Sequence, residues 1–123
     1  MVKILVIDDN PSVRHTIARI LVREGYELVL AENGKDGLQL FACQQPDVVI
    51  TDIIMPDQEG IETIRNIRRL RPDARIIAMS GGGRIGNIDF LSAAALFGAR
   101  EILAKPFEPR ELIERVSRCL GIA

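Results

Sequence analysis

The feature that most constrains the fold of this 123-residue chain is an alternation of two hydrophobic periodicities. Short runs rich in Val and Ile, typical of strands, alternate with longer stretches in which apolar residues recur every three or four positions, as on one face of a helix. Strands that alternate with helices favour a parallel sheet built from helical crossovers. We predict strands at residues 2–7, 27–31, 48–51, 74–79 and 100–104.

Five helices are predicted to follow these five strands. The first begins after Asn10, a residue type that caps helices, with Pro11 in its first turn, and it ends before Gly25. The fourth is apolar on nearly every side, which is typical of a helix that is buried or covered by a partner. The last four helices are predicted at about residues 35–43, 61–70, 87–97 and 109–120.

These elements predict an α/β fold, a single doubly wound (βα)5 domain whose five-stranded parallel sheet is covered on both faces. The length is that of one domain, so we expect residues 1–123 to form it with no effector domain in the chain. A formal net charge of −1 argues against direct binding of nucleic acid or of an anionic membrane surface. Apolar runs stay well short of the roughly 18 residues of a membrane span, and no export signal is apparent, so we predict a cytoplasmic domain.

Charged and hydroxyl side chains follow four of the five predicted strands. Asp8 and Asp9 follow the first, Asp52 the third, Ser80 the fourth and Lys105 the fifth. In an open parallel sheet, ligands bind at the carboxyl ends of the strands. Three carboxylates at one edge repel one another, and a hard cation such as Mg²⁺ relieves that repulsion. Lys105 and Ser80 suit phosphoryl oxygens, so the pattern indicates phosphoryl transfer to an aspartate.

Each of these residues has an ordinary structural explanation when it is considered alone. Asp8 and Asp9 could cap the next helix, and Asp52 and Ser80 could belong to turns. Lys105 could be a surface lysine. The joint occurrence of complementary groups at four strand ends favours a functional site over four unrelated structural roles.

With these residues identified, the chain resembles the receiver domains of response regulators, the phosphoacceptor domains of two-component signalling. The resemblance covers essentially the whole chain and implies the flavodoxin-like strand order 2-1-3-4-5. The motifs that carry it are Asp8-Asp9, Asp52-Ile53-Ile54-Met55-Pro56 with Gly60 downstream, Ser80, Gly98-Ala99 and Lys105-Pro106-Phe107.

The resemblance implies a role for each site residue. Asp52 would be the phosphoacceptor, Lys105 would pair with the phosphoryl group, and Ser80 would donate a hydrogen bond to it. The peptide bond between Lys105 and Pro106 is often cis in this family. The implied ligands of a Mg²⁺ cofactor are Asp9, Asp52, the backbone carbonyl of Ile54 and, largely through water, Asp8.

The resemblance also implies partners for the chain. A sensor histidine kinase, a phosphotransfer protein or a small phosphodonor would supply the phosphoryl group. A downstream protein or a second copy of the chain would bind the face of the fourth helix, the fifth strand and the fifth helix. The chain would catalyse its own phosphorylation and dephosphorylation as a signalling switch, and would not be an enzyme in the usual sense.

Two positions depart from the family pattern. Ile102 stands three residues before Lys105, where the family usually has Tyr or Phe. The segment after Ser80 is rich in glycine and looks longer than usual. We predict that phosphorylation orders residues 80–87 and repositions the helix that follows, with Ile102 offering an apolar contact; a passive loop is the alternative. The predicted switch residues are Ser80, Gly81, Gly82, Gly83 and Ile102.

Three other functions are compatible with parts of the pattern. A metal-dependent aspartate-nucleophile phosphohydrolase typically carries Asp-x-Asp after the first strand, whereas this chain has adjacent Asp8 and Asp9. A flavin-binding domain favours a hydroxyl-rich loop at that position and aromatic residues around the ring. A receiver-like binding module that is never phosphorylated generally lacks the acidic pair, the acceptor or the lysine.

Overall fold

The computed structural model describes residues 1–53, 59–80 and 98–122. Within these ranges the chain forms five strands and four helices. The fourth predicted helix, at residues 87–97, lies outside the described residues, so our α4 is the fifth predicted helix. The elements are β1 (Lys3–Ile7), α1 (Pro11–Arg23), β2 (Glu27–Ala31), α2 (Gly34–Gln44), β3 (Val48–Asp52), α3 (Glu59–Leu70), β4 (Ile76–Ser80), β5 (Glu101–Ala104) and α4 (Pro109–Leu120).

All five strands are parallel and lie in the order β2-β1-β3-β4-β5. The predicted fold class and strand order are therefore confirmed. β1 pairs with β2 on one side and with β3 on the other. The chain therefore winds outward in one direction from β1 to β2 and in the opposite direction from β3 to β5. Ligands of such sheets bind near this reversal, at the carboxyl ends of the strands.

Each face of the sheet has its own hydrophobic core. Side chains of β1 alternate between the two faces, as successive residues of a strand must. Ile4 and Val6 pack with α1 and α4, whereas Leu5 and Ile7 pack with α2 and α3. The two layers of helices thus pack against β1 and β3 from both sides and fix the positions of their ends. No helix in the described parts of the chain is long and apolar enough to cross a bilayer.

The helix that follows β1 begins where the sequence predicts. The side chain of Asn10 accepts hydrogen bonds from the backbone N–H groups of Ser12 and Val13, and Pro11 occupies the first turn. Gly25 follows the helix with φ of +89°, a conformation that favours glycine. The local sequence therefore sets both ends of α1.

The fourth strand begins and ends later than predicted. Ala74 donates its N–H to the carbonyl of Arg71, 3.0 Å away, and accepts a hydrogen bond from Arg68 at 2.6 Å. These bonds hold Ala74 in the turn that leads to β4. At the other end, Ser80 pairs with Ala104 and belongs to the strand. A local turn therefore sets the start of β4, and pairing with a distant strand sets its end.

Gly60, at the start of α3, packs directly against the backbone of β3. A Cβ atom at this position would clash with the carbonyl oxygen of Asp52 and would lie 2.7 Å from the Cα of Ile53. Both obstacles are backbone atoms that cannot rotate away. The absence of a side chain at Gly60 therefore lets α3 approach the end of the strand that carries Asp52.

We predict that Gly60→Ala lowers the free energy of unfolding by about 2 kcal/mol, since the extra methyl must displace backbone. Gly37→Ala is the matched comparison, because its Cβ would lie 2.7 Å from Cγ1 of Ile7, a side chain that can adjust. Urea unfolding of both variants measures the difference. Equal losses, or a larger loss in Gly37→Ala, would contradict the backbone contact proposed for Gly60.

Candidate functional site

Three strands deliver charged side chains to one edge of the sheet. Asp8 directly follows β1, Asp52 is the last residue of β3, and Lys105 directly follows β5. β5 lies two strands away from β3, a separation of about 10 Å in a typical sheet. The flexible four-carbon stem of Lys105 extends across the end of β4 and brings its ammonium group to the carboxylates.

The ammonium group of Lys105 bridges two carboxylates. Its Nζ lies 2.8 Å from Oδ2 of Asp8 and 3.0 Å from Oδ2 of Asp52. Asp8 is fully buried, and Asp52 is 5% exposed. Burial of Lys105 opposes its charged form, but the hydrogen bonds and negative charges of the two aspartates outweigh that effect and raise its pKa. Lys105 is therefore charged at neutral pH.

Every polar atom of Asp8 has a partner. Its Oδ1 accepts the N–H of Asn10 at 2.9 Å, and its Oδ2 accepts Lys105. Its own N–H donates to the carbonyl of Ala31 at 3.1 Å, and its carbonyl accepts Nη1 of Arg14 at 2.6 Å. The position and orientation of Asp8 are thus fixed from four sides.

Asp9 completes the acidic cluster from the exposed side. One carboxylate oxygen each from Asp8, Asp9 and Asp52 can be chosen so that all lie within 4.8 Å of one another. Mg²⁺ binds oxygen at about 2.1 Å in octahedral geometry, so opposite ligands are separated by roughly 4.2 Å. The donor atoms and their spacing fit a hard divalent cation with little rearrangement.

The structure brings together four of the predicted site residues: Asp8, Asp9, Asp52 and Lys105. The Lys105–Pro106 peptide is cis, as the resemblance implies. The backbone of Ser80 ends β4 between β3 and β5, at the same edge. Ile102 is half-buried on β5 and packs against the core under α2 and α3. Outside the described parts lie the side chain of Ser80 and all of Ile54, Gly81, Gly82 and Gly83.

Two residues near the site have roles that the sequence analysis missed. Arg14 donates to the carbonyl of Asp8, and the backbone N–H of Asn10 donates to its carboxylate. Asn10 was identified as a helix cap, and Arg14 received no role. The sequence does contain one signal for the role of Arg14: it is a basic residue in the first turn of the helix that follows Asp8 and Asp9.

The sequence was compared with models of known protein families. The model of the response regulator receiver domain matches residues 4–117. The chain belongs to this family. It is therefore a receiver domain of two-component signal transduction, and the family match favours this function over a phosphohydrolase or a flavin-binding domain.

The receiver domain is similar in sequence both to single-domain proteins of its own length and to much longer regulators. It is 35% identical to the chemotaxis protein CheY of Bacillus subtilis, covering 97% of this chain and 98% of CheY. It is 39% identical to the DNA-binding transcriptional regulator NtrC of Azospirillum brasilense over 96% of this chain, but spans only 24% of that relative. A receiver domain protein from Clostridium thermocellum has a TM-score of 0.86 at 32% identity, covering 98% of this chain and 95% of that one.

We predict that Lys105→Met lowers the free energy of unfolding by about 3 kcal/mol in buffer without divalent cations, because two buried carboxylates lose their counter-charge. The raised pKa gives the pH dependence its sign. The contribution of Lys105 is fully present below its unfolded pKa of about 10.4 and is lost as the pH rises through the higher folded value.

The matched control for this variant is Lys35→Met, which removes an exposed lysine. Its effect is expected to stay within about 0.5 kcal/mol. Urea unfolding at pH 7 and above pH 10 measures both variants. Equal stability of the two variants at pH 7 would contradict the bridging role of Lys105.

Proposed function

We propose that this receiver domain accepts a phosphoryl group on Asp52 in a Mg²⁺-dependent reaction. A sensor histidine kinase or a phosphotransfer protein is the proposed donor, and a small phosphodonor can replace it in vitro. The observation that carries the proposal is the set of contacts around Lys105, which holds Asp8 and Asp52 beside Asp9 at the switch point of the sheet.

The choice of Asp52 as nucleophile rests on access and on its neighbours. Asp8 is fully buried, and both of its carboxylate oxygens are already engaged, so it is poorly suited to attack phosphorus. Asp9 is exposed and has the freedom expected of a metal ligand. Asp52 is 5% exposed, lies at a rigid strand end and has the ammonium group of Lys105 at 3.0 Å.

The cluster is suited to hold the cation as well as the acceptor. The proposed ligands are Asp9, Asp52 and, through water, Asp8, together with the carbonyl of Ile54 outside the described residues. Mg²⁺, when bound, would neutralise the carboxylates and the negative charge that develops on the transferring phosphoryl oxygens.

The proposed transfer is an in-line displacement at phosphorus. An oxygen of Asp52 forms the new P–O bond while the P–N bond of the donor phosphohistidine breaks. The electron pair of the broken bond stays on the histidine nitrogen, which takes up a proton from solvent. Lys105 exchanges part of its contact with Asp52 for a phosphoryl oxygen, and Ser80 donates a hydrogen bond to another.

The proposed output is a change of surface and not catalytic turnover. Phosphorylation would order residues 80–87, which include Ser80 and the three glycines. It would also reposition the helix predicted at residues 87–97 and use Ile102 as an apolar contact. The receiving surface would comprise that helix, β5 and α4, and would bind a downstream protein or a second copy of the chain. A cytoplasmic location and a single domain over residues 1–123 complete the proposal.

We predict that incubation with MgCl₂ and acetyl phosphate adds one phosphoryl group, measured by intact mass, and that Asp52→Asn abolishes the addition. Removal of Mg²⁺ with a chelator should abolish it too. Asp73→Asn, which changes an exposed aspartate elsewhere in the chain, should be labelled like the wild type.

Two results would contradict this proposal. Equal labelling of wild type and Asp52→Asn would show that another residue is the acceptor. A wild-type protein that takes up no phosphoryl group from acetyl phosphate or from a histidine kinase would instead favour a binding module that is never phosphorylated.

A further inference from the structure

Arg14 lies beside the acidic cluster without contacting a carboxylate of it. It occupies the first turn of α1, and its Nη1 donates to the backbone carbonyl of Asp8 at 2.6 Å. This carbonyl belongs to the peptide that joins Asp8 to Asp9. The bond therefore restrains the orientation of the Asp8–Asp9 peptide plane, to which the carboxylate-bearing residue Asp9 is attached.

Arg14 shares a groove with two carboxylates but donates to a neutral carbonyl. Glu32 and Asp36 line the same groove between α1 and α2. Carboxylates ordinarily form stronger hydrogen bonds with a guanidinium group than a neutral carbonyl does. In the described parts of the chain, however, the hydrogen bond recorded for the Arg14 guanidinium goes to Asp8, and no ion pair joins Arg14 to Glu32 or Asp36.

The other bonds of Asp8 do not involve the carbonyl of the Asp8–Asp9 peptide. Asn10 and Lys105 hold the carboxylate of Asp8, and Ala31 holds its N–H. These three contacts fix the side chain and the incoming peptide. The outgoing peptide, which leads to exposed Asp9, is held through its carbonyl by Arg14.

We propose that Arg14 is a positioning residue that fixes the Asp8–Asp9 peptide and thereby orients Asp9 for Mg²⁺. The inference rests on the proposed function in assigning Mg²⁺ to the cluster. It adds a residue whose action passes through a backbone carbonyl, and groups that orient metal ligands in this way typically change metal affinity by about 10- to 100-fold when they are removed.

Whether replacement of Arg14 weakens or tightens Mg²⁺ binding distinguishes a positioning role from a simple electrostatic effect. A cation close to a Mg²⁺ site repels the metal, so loss of charge alone would tighten Mg²⁺ binding when Arg14 is replaced. Loss of a positioning hydrogen bond weakens binding instead. We therefore expect Arg14→Met to bind Mg²⁺ about tenfold more weakly than the wild type.

The experiment is a titration with MgCl₂ in the absence of any phosphodonor, followed by the backbone amide chemical shifts of Asp9 and Asn10. Urea unfolding without Mg²⁺ is measured in parallel, since a purely structural role would change stability without changing affinity. Arg19→Met is the matched control, because Arg19 is an exposed residue of the same helix. It should bind Mg²⁺ as the wild type does, or slightly more tightly.

Arg14→Lys tests whether a cationic donor restores the function. We expect it to bind Mg²⁺ at least about threefold more tightly than Arg14→Met, because an ammonium group can donate to the same carbonyl. No recovery in Arg14→Lys would assign the loss to altered packing of α1 and overturn the proposal. If Arg14→Met does not fold, Arg14→Leu provides the same comparison, because its side chain likewise has no hydrogen-bond donor.

Mg²⁺ affinity of the folded Met or Leu variant equal to or tighter than that of the wild type would overturn the role of Arg14. Failure of this inference can be told apart from failure of the proposed function. Asp52 labelling combined with Mg²⁺ affinity that is insensitive to Arg14 would reject the positioning role alone. Arg14-dependent Mg²⁺ binding without any labelling would reject phosphorylation alone, and a wild type that binds no Mg²⁺ would reject both.

Discussion

The interaction on which the site depends is the bridge from Lys105 to Asp8 and Asp52. Two buried carboxylates at adjacent strand ends would repel each other strongly without a counter-charge. The parallel sheet brings the ends of β1, β3 and β5 to one edge, so a cation from a distant part of the sequence can compensate them. A single ammonium group therefore compensates two carboxylates that come from different strands.

Much of the fold could be predicted from hydrophobic periodicity. The Val- and Ile-rich runs correspond to β1 through β5, and local capping signals such as Asn10 and Gly25 bound α1. The strand order required the resemblance to receiver domains, since periodicity does not say which strands are neighbours. The start of β4 was predicted wrongly because Ala74 donates to the carbonyl of Arg71 and accepts from Arg68 in a turn. Its end was predicted wrongly because Ser80 pairs with Ala104 of β5. The pairing of Ser80 depends on tertiary structure, and the side-chain bond from Arg68 to Ala74 is not visible in a hydrophobic pattern.

The site was predictable to the extent that its chemistry lies at strand ends. Asp8, Asp9, Asp52 and Lys105 each follow or end a strand, so topology alone brings them together. Arg14 was missed because, in an amphipathic helix, a basic side chain ordinarily faces solvent. Its partner is a backbone carbonyl, which carries no signature in the sequence. The contact of Gly60 with the backbone of β3 was hidden for the same reason, although the glycine itself belonged to a motif.

The hydrogen bonds of Asp8 make the two halves of the site unequal in how firmly they are held. Each polar atom of this residue is bound to β2, to α1 or to Lys105, so the β1 end resists displacement. In the proposed phosphorylated form, adjustment to the new group at Asp52 would therefore fall on the opposite half of the sheet, where one flexible lysine joins the cluster to β5. Structural change would then pass toward β4 and β5 and away from β2. One edge of the sheet would serve as the anchor, and the other would carry a local chemical event to the surface.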